Sequence, residues 1–349
     1  MRKTTTPQRL FASAGALGLL ALTACGNGDA DGEDQDFGAL DVPLSWLHTA
    51  EFGGLYMAAD NGHFEEAGFD SVNLTPGGPS ATPSAIQVAT GQGTIGMSNP
   101  LAIGSTIAEE GDDAPLKIVG SVFQQNAYTI ITKSDNAATS PEELEGMSIG
   151  VPPANEPVFY AFLESNGLTE DDVEVVSIQG DAQPFLADEI DAYLGYATNE
   201  LISMELDGEE VESLMFDENG LPFAGGSVVV TEEAIEEDRE LIKAFLEASI
   251  RGWHDALEDH EAVAETTVED HAADQNLDFE HQQVTSEEQA ELITDEWTQE
   301  HGLFTMSDEL VDDTLAAIDA VGYDVPDDLF DLTLLEEVYE ENPDLVEHP

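Results

Sequence analysis

From Asp41 to Tyr196 short apolar runs alternate with stretches whose apolar residues recur at helical spacing, and that alternation restricts the chain to an α/β architecture. Residues 42–46 read as a strand, with Pro43 confining it to a sheet edge or a strand start. Phe52, Leu55, Tyr56 and Ala59 fall at i, i+3, i+4 and i+7, one face of a helix that Gly62 ends. Further strands are expected at 71–74, 94–97, 117–123, 128–132, 148–151, 173–178 and 192–196, with helices at 84–90, 101–108 and 157–164. Ser140-Pro141-Glu142-Glu143 has the order of a capping box with proline at the first helical position. Such alternation predicts largely parallel sheets. The last third differs: Leu241, Ile242, Phe245, Leu246, Ser249, Trp253 and Ala256 share one helical period, and 286–298, 307–321 and 332–340 also read as helices. The expectation is a two-lobed α/β protein with a helical C-terminal extension and no fixed-period repeat.

The first residues read as an address. Arg2, Lys3 and Arg9 precede an apolar stretch, Leu10–Leu22, too short for a comfortable membrane span. It ends in Leu22-Thr23-Ala24-Cys25, which resembles the bacterial lipobox, implying a signal peptide over 1–24 and a lipid on Cys25 as the first mature residue. Cys25 is the single cysteine, so no disulfide supports the fold and packing must. Residues 25–38, small and acidic, read as a tether from the membrane. The chain carries 75 Asp+Glu against 8 Lys+Arg, a formal charge of −67. Nucleic acid is excluded as a partner, because neutralising phosphates requires a basic footprint. At molar salt, where the Debye length is about 3 Å, the self-repulsion is screened, which points to a salt-rich, halophilic habitat.

The most informative segment runs from Trp46 to Phe69, WLHTAEFGGLYMAADNGHFEEAGF. Three later stretches follow in order: Pro76-Gly77-Gly78-Pro79, then Ala89-Thr90-Gly91-Gln92-Gly93-Thr94-Ile95-Gly96, then Asp188–Tyr193 leading into Tyr196-Ala197-Thr198-Asn199-Glu200. Together they resemble the type II periplasmic binding proteins of the thiamine-pyrimidine-precursor, riboflavin, nitrate and sulfonate transporters. The likeness is good over residues 41–260 and weak beyond. It implies a two-lobed periplasmic binding protein type II fold, with 39–127 plus 226–349 as one lobe and 128–225 as the other. The crossings would lie near 125–129 and 222–227, with a ligand in the cleft. It also implies an extracytoplasmic, membrane-anchored, monomeric lipoprotein that hands a small heteroaromatic molecule to an ABC permease, with no cofactor and no metal.

Each candidate contact has a plainer reading beside it. Trp46 and His48 end the first strand, where a ring would stack on a ligand or simply fill the core. Glu51 and Phe52 open the first helix; Glu51 accepts from a ligand amine or favours the helix N-terminus. Tyr56 shares the apolar face with Phe52. Ser98 and Asn99 end a strand before Pro100, so a helix cap accounts for both. Gln124 ends the next strand. Asn155, Glu156 and Tyr160 start the second lobe's first helix, where anion-binding relatives present backbone N–H groups and where Glu156 opposes an anion. Asn199 and Glu200 make the strongest pair, an amide beside a carboxylate matching the edge of an aminopyrimidine, with Tyr196 flanking the ring.

None of Lys117, Lys133, Arg239, Lys243 and Arg251 lies in these segments, so an oxyanion lacks its charge-assisted partner. A thiamine pyrimidine precursor is favoured, with riboflavin next and nitrate, sulfonate or taurine behind. An enzyme is disfavoured. The resembling fungal pyrimidine synthases carry a cysteine-rich motif absent here, and His260-Glu261-Ala262-Val263-Ala264 lacks the second histidine of a zinc protease helix. A sensor or adhesin on the same fold stays open.

Overall fold

The computed structural model describes residues 36–111, 114–180 and 182–349; the expected signal peptide, Cys25 and the expected tether up to Gln35 fall outside them. The strands are β1 (Gly38–Pro43), β2 (Phe69–Thr75), β3 (Gly96–Ser98), β4 (Leu116–Phe123), β5 (Tyr128–Lys133), β6 (Ser148–Val151), β7 (Glu174–Ser177), β8 (Ala192–Tyr196), β9 (Val211–Met215) and β10 (Gly225–Thr231). The helices are α1 (Gly53–Asp60), α2 (His63–Glu66), α3 (Ser84–Ala89), α4 (Pro100–Glu110), α5 (Glu156–Ser165), α6 (Gln183–Leu186), α7 (Ile202–Leu206), α8 (Glu232–Glu237), α9 (Arg239–Glu258), α10 (His260–Thr266), α11 (Phe279–Ile293), α12 (Glu296–His301), α13 (Asp308–Ala320) and α14 (Thr333–Glu341). No helix among the described residues is long and apolar enough to cross a membrane.

Order begins earlier than the sequence suggests. The tether's end, Gly38, opens β1, and Phe37 packs its ring 5.2 Å from that of Phe69 while its N–H bonds Gly68 O. An aromatic ring with a partner to bury against leaves the solvated state.

Strands fall into three sheets: β1-β2, β3-β10-β4, and β7-β6-β8-β5-β9. The third draws only on residues between Tyr128 and Met215. The pairing is not largely parallel: one sheet is parallel, one antiparallel and the five-stranded one mixed. β1 runs parallel to β2, and β6 parallel to β7 and β8. β10 is antiparallel to both β3 and β4, and β5 is antiparallel to β8 and β9. Strands that enter and leave a sheet by returning segments run against its parallel βαβ portion, and periodicity alone carries no direction. The chain passes between sheets after β4 and again before β10. Asn126, 3% exposed, ties the two passages: its Oδ1 accepts from Tyr128 N at 3.2 Å and its Nδ2 donates to Leu221 O at 3.0 Å.

One core packs β1, β2 and α1 against α9 around Trp253; a second fills the space around Phe159, Phe162 and Phe216, whose last two rings stack at 3.9 Å. Each such ring or aliphatic chain contributes about 1.5–3 kcal/mol on leaving water, and with no disulfide among them these cores hold the fold. α1 and α9 approach closely because both are glycine at the crossing: a Cβ at Gly54 would overlap the Trp253 ring, and one at Gly252 would overlap the Gly54 carbonyl. Local chemistry corrects two expectations. Ser140 makes no side-chain cap; Glu143 instead accepts from the N–H and hydroxyl of Thr139, and 141–144 is a short 3-10 turn. The helix expected over 286–298 is two helices, because Asp295 caps α12 in a reciprocal box with Thr298 and so ends α11 before it.

Candidate functional site

The first wall follows β1. The loop 44–49 is pinned where Gly77 N donates to Trp46 O at 2.8 Å, and it leads into the 3-10 turn Ala50–Phe52 and then α1. Glu51 is half-buried there. Burial pushes its carboxyl up from the ordinary 4.5 to about 7, against the pull of a hydrogen bond from Ser45. Tyr56 OH lies 3.0 Å from His48 Nδ1, and the Tyr56 ring stacks on His271 at 4.0 Å and 15°. Burial lowers the pKa of both His48 and His271, so their rings are neutral near pH 7 and serve as flat apolar faces. Burial raises the phenols of Tyr56 on α1 and Tyr196 on the five-stranded sheet, and the Glu51 charge adds a smaller push to both, so this carboxylate is within electrostatic reach of both walls.

The second wall is where β8 ends. Tyr128 and Tyr196 are direct cross-strand partners with rings 4.6 Å apart and a side-chain hydrogen bond between them. Past Tyr196 the chain makes a π-helical turn, Ala197–Leu201, before α7. Glu200 folds back: its Oε2 accepts from Tyr196 N at 2.9 Å. Burial raises this carboxyl too, opposed chiefly by that backbone bond, with Asn199 and His281 helping. Asn199 has an exposed side chain, and its carbonyl accepts from His281 Nε2 at 3.1 Å.

Of the residues singled out from sequence, His48, Glu51, Tyr196, Asn199 and Glu200 thus belong to these two walls, joined through the reach of Glu51 and the residues of α11, while Tyr56 is fully buried in the core behind His48 and His271. Trp46 stands on the loop at 45% exposure. Phe52 is buried in the α1–α9 core, where the helix period put it. Ser98 is buried opposite Ser227, and Asn99 accepts from Ala102 N at 2.8 Å as the cap of α4. Gln124 turns toward the C-terminal helices, donating to Thr305 O at 3.1 Å. Glu156 and Tyr160 line a separate groove of about 360 Å³ with Pro153, Pro157, Glu164 and Val321, and Asn155 lies beside them with no hydrogen bond to either wall. Sequence reasoning passed over Tyr128, His271 and the α11 residues His281, Gln282, Thr285 and Gln289. Only a polar stripe at i, i+3, i+7 in α11 marked them, and it reads first as a solvated face.

The described cations are all engaged elsewhere. Lys117 pairs with Asp328, Lys133 with Glu209, Arg239 with Glu337, Lys243 with Glu341 and Arg251 with Glu247, at 2.7–3.0 Å. Among the described residues no group of three or more His, Cys, Asp or Glu is placed to hold a metal ion.

This arrangement can accept hydrogen bonds from a ligand and presents aromatic rings on both walls; among the described residues it offers an oxyanion no Lys or Arg. Two curated relatives are similar over most of the chain. One is the formylaminopyrimidine-binding protein of Halalkalibacterium halodurans, 27% identical over 68% of this chain and 72% of the relative. The other is the riboflavin-binding protein RibY of Chloroflexus aurantiacus, 25% identical over 75% of each. Among solved structures, a periplasmic sulfonate-binding protein SsuA from Methylobacillus flagellatus superposes with a TM-score of 0.65 at 14% identity, covering 88% of this chain and 95% of that one. The fold is therefore the two-lobed α/β fold of periplasmic binding proteins. The NMT1/THI5-like family pattern matches residues 49–263, well over half of the sequence, and the chain belongs to that family.

Proposed function

We propose that this protein is the extracytoplasmic substrate-binding lipoprotein of an ABC importer and that it binds an aminopyrimidine precursor of thiamine between its lobes. The observation that carries the reading is the chemistry of the two walls: carboxylates, phenols and neutral imidazoles face the site, while each described Lys and Arg is paired with an acid elsewhere. Glu51 accepts from the amino edge of the pyrimidine. Tyr196, backed by Tyr128, on one side and His271, backed by the buried Tyr56, on the other supply ring faces. Asn199 offers an exposed amide at the rim, and the Trp46 ring is free to cover the ligand. A relative that binds formylaminopyrimidine by name supports the ligand class.

We take 39–127 with 226–349 as one lobe and 128–225 as the other; the five-stranded sheet, confined between Tyr128 and Met215, supports this division. A lipid on Cys25 would hold the protein at the outer face of the membrane, as a monomer, with the acidic tether giving it reach. The proposed role is binding without catalysis, in line with the names of both curated relatives. Riboflavin is the second reading, favoured by the RibY likeness and by the aromatic faces. Nitrate, sulfonate and taurine rank below both for want of a cation.

Calorimetric titration in molar KCl with formylaminopyrimidine, riboflavin, taurine and nitrate tests this. Saturable heat from formylaminopyrimidine alone is expected. Binding of an oxyanion and of no heterocycle overturns the reading.

A further inference from the structure

Helix α11 buries Gln282, Thr285, Ser286 and Gln289, at i, i+3, i+4 and i+7, where a helix facing protein normally carries aliphatic residues. They are 1–4% exposed, whereas Val284 on the neighbouring face is less buried. A buried polar side chain costs stability unless it is bonded, so such a stripe needs a use. Its bonds show one. Gln282 Oε1 accepts from Ala50 N and Gln289 Nε2 donates to Ala50 O, both at 2.8 Å, so the residue preceding Glu51 is gripped at both of its backbone groups. From the same helix His281 Nε2 reaches Asn199 O at 3.1 Å and Thr285 Oγ1 reaches Thr198 O at 3.2 Å, on the turn after β8. Ser286 anchors the helix to His260 of α10 at 3.0 Å.

The two sets differ in setting. The glutamine bonds are buried; the His281 bond is exposed and the Thr285 bond part-buried. We propose that α11 is the positioning element of the binding site: Gln282 and Gln289 hold the Glu51 turn, while His281 and Thr285 form a latch, already fastened without ligand, that holds the Thr198–Glu200 turn in place opposite it. The inference rests on the reading that Glu51 and the β8 turn face one ligand. It assigns that setting role to a helix lying beyond residues 49–263, outside the part of the chain that defines the family.

Three variants separate the sets. His281→Phe with Thr285→Val removes the latch donors with little change in shape, Thr285→Ser restores the hydroxyl, and Gln282→Leu loosens the grip on Ala50. Backbone hydrogen exchange on the full chain in molar KCl, without ligand, is read at 196–202 and at 48–54. The latch variant is expected to speed exchange at 196–202 by about tenfold and leave 48–54 unchanged, with Thr285→Ser close to wild type. Its affinity for formylaminopyrimidine is expected to fall about tenfold, mainly through faster release. Unchanged exchange at 196–202, or acceleration spread evenly over the chain, overturns the latch. Should Gln282→Leu not fold, the latch variant still decides. If the wild type binds neither formylaminopyrimidine nor riboflavin, the ligand reading fails, and the exchange data judge the latch by themselves.

Discussion

Glu51 and Glu200 are two half-buried glutamates on opposite walls, and they differ in what already satisfies them. Glu200 accepts from the N–H of Tyr196 and so closes the turn it belongs to. Glu51 has the Ser45 hydroxyl, and burial carries its pKa up to about 7. A carboxylate engaged by its own backbone is spent on local structure. One left short of donors in a buried setting is poised to take them from a ligand. On the proposed reading Glu51 therefore moves ahead of Asn199 and Glu200, which the sequence placed first.

The largest effect should come from Glu51→Gln, which keeps size and removes the charged acceptor. Affinity for formylaminopyrimidine is expected to drop by about 10- to 100-fold in calorimetry, with little loss of melting temperature. An unaltered affinity would break the comparison at its root. Next is pH. A carboxyl whose folded pKa is raised from 4.5 to about 7 lends stability that is complete below 4.5 and is lost as pH rises through 7. Ligand binding uses the ionised form, so affinity should rise over the same interval while the melting temperature of the free protein falls. Both slopes should flatten in Glu51→Gln. Glu200→Ala is expected to act mainly on stability, costing about 1 kcal/mol, or about 2–4 °C, by freeing the Tyr196 N–H. A weaker affinity with an unmoved melt would return Glu200 to direct contact. The smallest effect belongs to Tyr196→Phe, which keeps the ring face and loses one hydroxyl; affinity should change by less than about fivefold.

Much of the framework was legible because local chemistry wrote it. The i, i+3, i+4, i+7 series of Phe52, Leu55, Tyr56 and Ala59 gave α1, and the alternating run Ala192–Tyr196 gave β8 with its boundaries. The polar pair after β8 was rightly marked as the entrance to a turn. What stayed hidden depends on partners distant in sequence. The start of β10, Gly225–Ser227, fell within the crossing expected at 222–227 because its glycines disguise a strand that only β3 and β4 make regular. Strand β9 carries Glu212 and Ser213 among its apolar residues and is defined by pairing with β5. The inward face of α11 is built of Gln and Thr, residue types that a sequence alone assigns to water. Gln124 looked available until the C-terminal segment brought Thr305 to it.

The glycine-on-glycine crossing of α1 and α9 has a mechanical consequence. The α9 backbone at Gly252 lies against the Gly54 carbonyl and the Trp253 ring fills the face of Gly54, so the jaw bearing Glu51 and Tyr56 is bolted to α9, the longest helix among the described residues. On the binding role proposed above, this jaw stays fixed and the opening that admits cargo falls to the opposite jaw, which carries the tyrosine couple.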